Sequence, residues 1–158
     1  MLENIISFLI VLAILGSGVV TGILFVFSNF AMQSFEQLQP SAGILAMQYI
    51  NRKILNPIFF LFFMGTALLS LVLPLLLQWS EQVSTGYAIA GSILYLTGIM
   101  LVTITRNIPM NNALDSVDAN TQEAGRLWDS YLIRWTNWNH IRTVAGALAT
   151  VCFTLALI

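Results

Sequence analysis

The sequence predicts an all-α fold: a four-helix transmembrane bundle with an extra cytoplasmic-side helical segment before the last span. Three observations carry this. Hydrophobic residues make up 58% of the 158 and charged residues 8%, against roughly 25% charged in a typical soluble domain. Four apolar stretches are each about long enough to cross a bilayer, which takes roughly 20 helical residues. All six Lys and Arg residues fall in alternate connections. Lipid leaves no partner for open strand edges, so apolar runs of this length read as helices. One integral membrane domain, 1–158, is the expected organisation.

The first span is placed at 5–27. Its apolar run, from Ile5 to Phe27, is too long for a signal-peptide core and no basic residue precedes it, so it reads as a span that stays. The second, 54–79, opens near Pro57 and meets Pro74, a residue that kinks or ends helices. The third covers 86–105. The fourth covers 138–158, prolonged backwards by a helix that carries the tryptophans. The connection 28–53 holds Arg52 and Lys53; the polar connection 106–137, with the residues just beyond it, holds Arg106, Arg126, Arg134 and Arg142. The N-terminus and the second connection have only Glu3 and Glu81. The positive-inside rule then puts connections 28–53 and 106–137 in the cytoplasm of an inner or plasma membrane protein, with both termini outside.

"GVVTG", Gly18 to Gly22, has the G-x-x-x-G spacing that allows close helix approach. It reads as packing within the chain rather than dimerisation, with Gly65, Gly91, Gly98 and Gly146 as further small patches. Cys152 is the lone cysteine and sits in an apolar run, so it reads as a small buried hydrophobe. A net charge of -1, with no basic tract, points away from nucleic acid. His140 is the only histidine, which rules out a His-only metal site or a bis-histidine haem within one chain. Asp115, Asp118, Glu123 and Asp129 lack Glu-x-x-His spacing and read as a solvated face. No metal site is expected.

Nearly all the polar chemistry gathers in "NIPMNNALDSVDANTQEAGRLWDSYLIRWTNWNHIRTVAG", residues 107–146. Pro109 is expected to stop the third helix, and Asn107, Asn111 and Asn112 favour turns. Asn120 or Thr121 is placed to cap a new helix, with Glu123 in its first turn. If that helix runs unbroken, Trp128, Tyr131, Asn139, Arg142 and Gly146 all fall within about 40° of Trp135 at roughly 100° per residue. Trp138 lies at the margin, and His140 lies about 140° away. Such a stripe, facing inward, offers flat aromatic walls with fixed amide and guanidinium donors, suited to a planar, oxygenated aromatic small molecule. A plainer alternative has the aromatics as an interfacial belt and Arg142 and Arg134 reaching for headgroups. In "QYINRKILNP", 48–57, Asn51 and Arg52 either close over the pocket or merely cap the second span beside Asn56.

The runs "INRKILNPIF", "NIPMNNAL" and "W-T-N-W-N-H-I-R-T" resemble a family of small four-span membrane proteins, the anthrone-oxygenase-like family. The likeness covers almost the whole chain. It is most specific in N-x-P-x-N (Asn107, Pro109, Asn111) and W-x-x-x-N-x-x-R (Trp135, Asn139, Arg142). The resemblance implies oxidation of an anthrone to an anthraquinone by molecular oxygen, with no metal or flavin cofactor. On it, Arg142 with Asn139 or Asn111 would stabilise an oxyanion. His140 is the base that ordinary pKa values suggest, though its register is against it; an Asp or a water are the other candidates. Trp128 and Trp135 would stack on substrate rings, with Asn107, Asn111, Tyr131 and Asn51 completing the binding set. Two other readings stand beside it: a non-catalytic protein that binds or transports a lipophilic small molecule, and an accessory membrane subunit that uses the polar segment for docking.

Overall fold

The computed structural model describes residues 2–77 and 83–158. The expected end of the second span at Trp79, and Glu81 in the connection after it, lie outside these. Among the described residues the fold is all-α, with five helices: α1 Leu2–Glu36, α2 Pro40–Lys53, α3 Pro57–Leu76, α4 Thr85–Asp115 and α5 Gln122–Leu155. Three of them, α1, α3 and α4, are long and apolar enough to cross a membrane. The 34-residue α5 is long enough but interrupts its apolar run with Asn139, His140 and Arg142.

Local chemistry sets several boundaries. Pro57 occupies the first turn of α3, where its missing N–H costs nothing, and Asn56 Oδ1 accepts from the Phe59 N–H at 3.1 Å. Thr121, of the two candidate caps, starts α5 by accepting from the Ala124 N–H at 3.2 Å. Pro74 lies inside α3 just before its end.

Pro109 does not stop the third helix. α4 runs through it to Asp115, so most of the expected turn region is helical. The reason lies one turn upstream, where Thr103–Asn107 form a wide π-helical turn. Widening relieves the clash that a proline ring makes with the carbonyl four residues earlier, and it needs no proline N–H. Connection 28–53 is helical too: α1 continues to Glu36 across a second π turn, Phe27–Ala31, and α2 follows after a short break.

α1 packs against α3 and α5, and α4 packs against the same two. One buried cluster, around Ile6, Ile10, Leu73, Tyr95, Ile99 and Phe153, fills the end near the N-terminus. A second, around Met32, Ile44, Met47, Leu114, Trp128, Tyr131 and Trp135, fills the other. There α2 and the end of α4 meet: Gln48 Nε2 donates to the Leu114 and Val117 carbonyls, and Arg52 Nε donates to Asp115 Oδ1 at 2.8 Å. The outer faces stay apolar, as Ile58, Leu61, Leu68, Leu71 and Leu75 show along α3. So continuous an apolar surface belongs against lipid.

The glycines correct one expectation. A Cβ at Gly18, Gly22 or Gly65 would meet nothing, so the G-x-x-x-G pair does not pack within the chain. It lines an outward groove of about 530 Å³ between α1 and α5, with Thr143, Ala147 and Thr150 opposite. Close approach occurs instead at Gly16 against Thr66, Gly98 against Ala145, and Gly146 against Thr21 and Ile99.

Candidate functional site

Because α5 is unbroken from Gln122 to Leu155, its side chains keep a single register. Trp128, Tyr131, Trp135, Asn139, Arg142 and Gly146 are all buried on its inner face. His140 is exposed, away from them. Trp138 is half-buried, with the Arg106 guanidinium 4.9 Å from its ring centroid.

Arg142 is the centre of the arrangement. It is 6% exposed, so it does not reach for headgroups. Nη2 donates to Asn139 Oδ1 at 2.7 Å, and Nη1 to Thr103 Oγ1 at 3.2 Å. Its guanidinium carbon lies 5.3 Å from the Trp135 ring centroid, within cation–π range. Nε is buried with no acceptor. Among the described residues no carboxylate pairs with it. A buried guanidinium held only by neutral groups has lost water and gained no counter-charge, a costly arrangement unless an anion joins it.

Asn139 has both amide N–H groups engaged within the chain. Completely buried, it accepts from Arg142, and its Nδ2 donates to the Leu24 carbonyl at 2.7 Å and to Ser28 Oγ at 2.8 Å. Ser28 and Thr143 are 2.9 Å apart, and Thr143 spends its own proton on the Asn139 carbonyl, so Ser28 donates to Thr143. The resulting ring of bonds fixes the amide, and the amide fixes the guanidinium.

Asn111 is likewise engaged. Its Oδ1 accepts from Tyr131 Oη at 2.8 Å and from Trp135 Nε1 at 2.7 Å. Trp128, Tyr131 and Trp135 stack in sequence, with interplanar angles of 15° and 18°, and Phe27 meets Trp135 edge-on. Burial pushes the Tyr131 phenol up, while the Asn51 side chain and the Arg142 charge pull it the other way. Asn51 thus lies beside Tyr131, with a buried Nδ2 that has no partner. Arg52 turns instead to Asp115, in an exposed ion pair. Asn107, 1% exposed, donates from Nδ2 to the Trp135 carbonyl at 3.3 Å and leaves Oδ1 unpartnered.

The structure therefore brings together Arg142, Asn139, Trp135, Tyr131, Trp128, Asn111, Asn107 and Asn51, and leaves His140 apart. Ser28, Thr103 and Thr143 join them without being marked by sequence. Small hydroxyls inside apolar runs are ordinary, and nothing in their spacing reveals a partner on another helix. Ser28, Thr103 and Asn107 each lie on a π turn, whose extra residue re-aims the side chains that follow it.

Fold and site together define an all-α protein with membrane-length helices around a buried guanidinium, carboxamide and indole cluster. The chain belongs to the anthrone oxygenase family, whose model matches residues 47–152. All the candidate residues from Asn51 to Arg142 lie inside that match; Leu24 and Ser28 lie outside it. No curated protein and no solved structure matches the chain.

Proposed function

We propose that this chain is a four-helix transmembrane bundle, one integral membrane domain with residues 138–158 as the fourth span. Its termini lie outside, and connections 28–53 and 106–137 lie on the cytoplasmic side. At that end the cluster around Arg142 binds a planar aromatic ketone as its enolate and presents it to molecular oxygen, an anthrone-type oxygenation without metal or flavin. The observation that carries this reading is Arg142 itself: buried, without a carboxylate partner among the described residues, and held through both terminal nitrogens while Nε has no acceptor.

The chemistry asks little of the protein beyond binding and electrostatics. A methylene flanked by two aryl rings, conjugated through them to the ring carbonyl, loses a proton to give an enolate whose charge rests on the carbonyl oxygen. That oxyanion takes the free Arg142 N–H, and Trp135 covers the ring face. The enolate carbon transfers its electrons to oxygen and forms a C–O bond, and protonation gives a hydroperoxide. Loss of water then leaves a second carbonyl. In sum, ketone plus O₂ gives quinone plus H₂O. Among the described residues no carboxylate or imidazole joins the cluster, so the proton leaves to water before or during binding. A preorganised cationic donor lowers the enolate's energy in a site that excludes bulk water.

The test uses protein in lipid nanodiscs, an oxygen electrode and a panel of anthrones. The expected result is uptake of one O₂ per quinone formed, lost on Arg142→Ala. Uptake unchanged by that substitution removes Arg142 from the mechanism. The lack of a built-in base favours one second reading, a protein that binds or transports a lipophilic ketone without chemistry. Saturable, Arg142-dependent ligand binding with no oxygen uptake would establish that reading instead.

A further inference from the structure

Among the buried side-chain atoms without a hydrogen-bond partner, two near Trp135 are opposite in kind. Arg142 Nε is a donor and Asn107 Oδ1 is an acceptor. Which end of the Asn107 amide is which is not arbitrary. The Trp135 carbonyl can only accept, so the atom 3.3 Å from it is the nitrogen and the free atom is the oxygen. Asn51 Nδ2 and the Thr21 and Thr136 hydroxyls also lack partners, but many polar side chains at this depth are satisfied. Gln48, Ser70, Ser92, Tyr95 and Asn139 all make their bonds. A buried acceptor left unmet costs about 1–3 kcal/mol. An oxyanion on Arg142 answers only half of the site's demand; Asn107 still asks for a donor.

The choice of amide also matters. A carboxylate at position 107 would accept equally well but would add a second anion close to the guanidinium and weaken it as an anion site. A neutral acceptor reads a hydroxyl and leaves the positive charge to the ligand.

Resting on the reading of this cluster as an aromatic-ketone site, we propose that Asn107 is a specificity-determining residue, whose Oδ1 accepts a hydrogen bond from a ring hydroxyl of the ligand while the ligand's carbonyl or enolate oxygen lies on Arg142 Nε. The ligand class is then a hydroxyaryl ketone. The hydroxyl that Asn107 reads is not the one beside the carbonyl, because that one closes onto its own carbonyl and has no proton to offer outward. A free hydroxyl elsewhere on the ring edge does.

The probes are three oxygen-stable quinones: anthraquinone, 2-hydroxyanthraquinone and 2-methoxyanthraquinone. Their binding to the full chain in nanodiscs is read by tryptophan quenching, at a mildly acidic pH where the phenol keeps its proton. The expected result is 2-hydroxyanthraquinone binding about tenfold more tightly than its methyl ether, the worth of one hydrogen bond to a buried acceptor. In Asn107→Leu that ratio falls to about one, and in Asn107→Thr, which restores an oxygen acceptor, part of it returns. Equal binding of hydroxyl and ether by the wild type, with both weakened by Arg142→Ala, overturns the role of Asn107 and leaves the site standing. Binding of all three that ignores Arg142→Ala overturns the site beneath it. The wild-type ratio decides even where Asn107→Leu fails to fold.

Discussion

Around Tyr95, in the half of the molecule near the N-terminus, buried hydroxyls close their bonds on the nearest carbonyl: Tyr95 on Phe63, Ser70 on Thr66, Ser92 on Ala88. Around Trp135, in the other half, the buried polar groups are larger, include a guanidinium, and reach across helices to Thr103, Ser28 and Leu24. Of the five buried side-chain atoms without a partner among the described residues, three are on Asn51, Asn107 and Arg142; the others are the Thr21 and Thr136 hydroxyls. The first region satisfies its hydroxyls on carbonyls, within one helix or, for Tyr95, across to α3, each at little cost. The second accumulates unmet demand in a small volume. Stability alone selects against that, so the contrast separates a packing core from the proposed binding site within one set of helices.

Substituting Arg142 breaks the contrast hardest. Arg142→Ala is expected to lower turnover or ligand affinity by at least about 100-fold, the usual cost of a lost oxyanion donor. The melting temperature in detergent is expected to hold or rise, because a desolvated, uncompensated charge has gone. Tyr95→Phe should do the reverse, leaving turnover intact and costing about 1 kcal/mol of stability for the lost bond to Phe63. An Arg142→Ala protein that melts well below the wild type yet keeps its affinity would make both regions ordinary core.

Helix approach gives the next effect. Gly98 faces the Ala145 methyl, and Ala145 is one turn from Arg142 on α5. Gly98→Val must push α4 and α5 apart, at about 1–3 kcal/mol, and turnover is expected to fall with stability. Gly18→Ala meets open space and should stay within about 0.5 kcal/mol of the wild type. Thermal unfolding of both variants in one lipid composition checks the pair. Ser28→Ala comes third. It removes one of two acceptors for Asn139 Nδ2, and the Leu24 carbonyl still holds the other N–H of that nitrogen. A loss of about 1 kcal/mol in stability is expected, with turnover down about tenfold as Arg142 loosens.

How much of this was legible in the sequence depends on whether one helix suffices to say it. That Trp128 to Gly146 share one stripe follows from spacing alone, given an unbroken helix, and so does the separation of His140 from it; which way the stripe faces does not. The partners do not. Ser28 and Thr103 belong to other helices, and only packing brings them to Asn139 and Arg142. Pro109 misleads because its rule assumes an ideal α-helix, whereas the π turn ahead of it gives the ring room. Gly18 and Gly22 mark a small-residue face but carry no information about which way it points. The helix Pro40–Lys53 is hidden for a related reason: it lies between two apolar spans and is too polar to stand out beside them, so the face that buries Ile44, Met47 and Gln48 shows only in the fold. The family resemblance supplied the grouping of Asn107, Asn111, Asn139 and Arg142, and distances supplied the division of labour among them.

The smallest expected effect bears on how α2 relates to the site. Arg52 and Asp115 pair at 2.8 Å with side chains 56% and 39% exposed. An exposed pair of this kind contributes about 0.2–1 kcal/mol and is screened by salt. Arg52→Ala and Asp115→Ala, singly and together, should give a coupling energy in that range, vanishing in about 1 M salt, with turnover unchanged. Yet Arg52 follows Asn51, whose side chain lies against Tyr131 and through it against Asn111 and the indole of Trp135. If α2 must open and close to admit a ligand, the ion pair is its latch. Arg52→Ala would then change the association rate without changing stability, and Asn51→Ala would act in the same direction. A rate that ignores both substitutions makes α2 a fixed wall, and access to Arg142 must then come from between the spans.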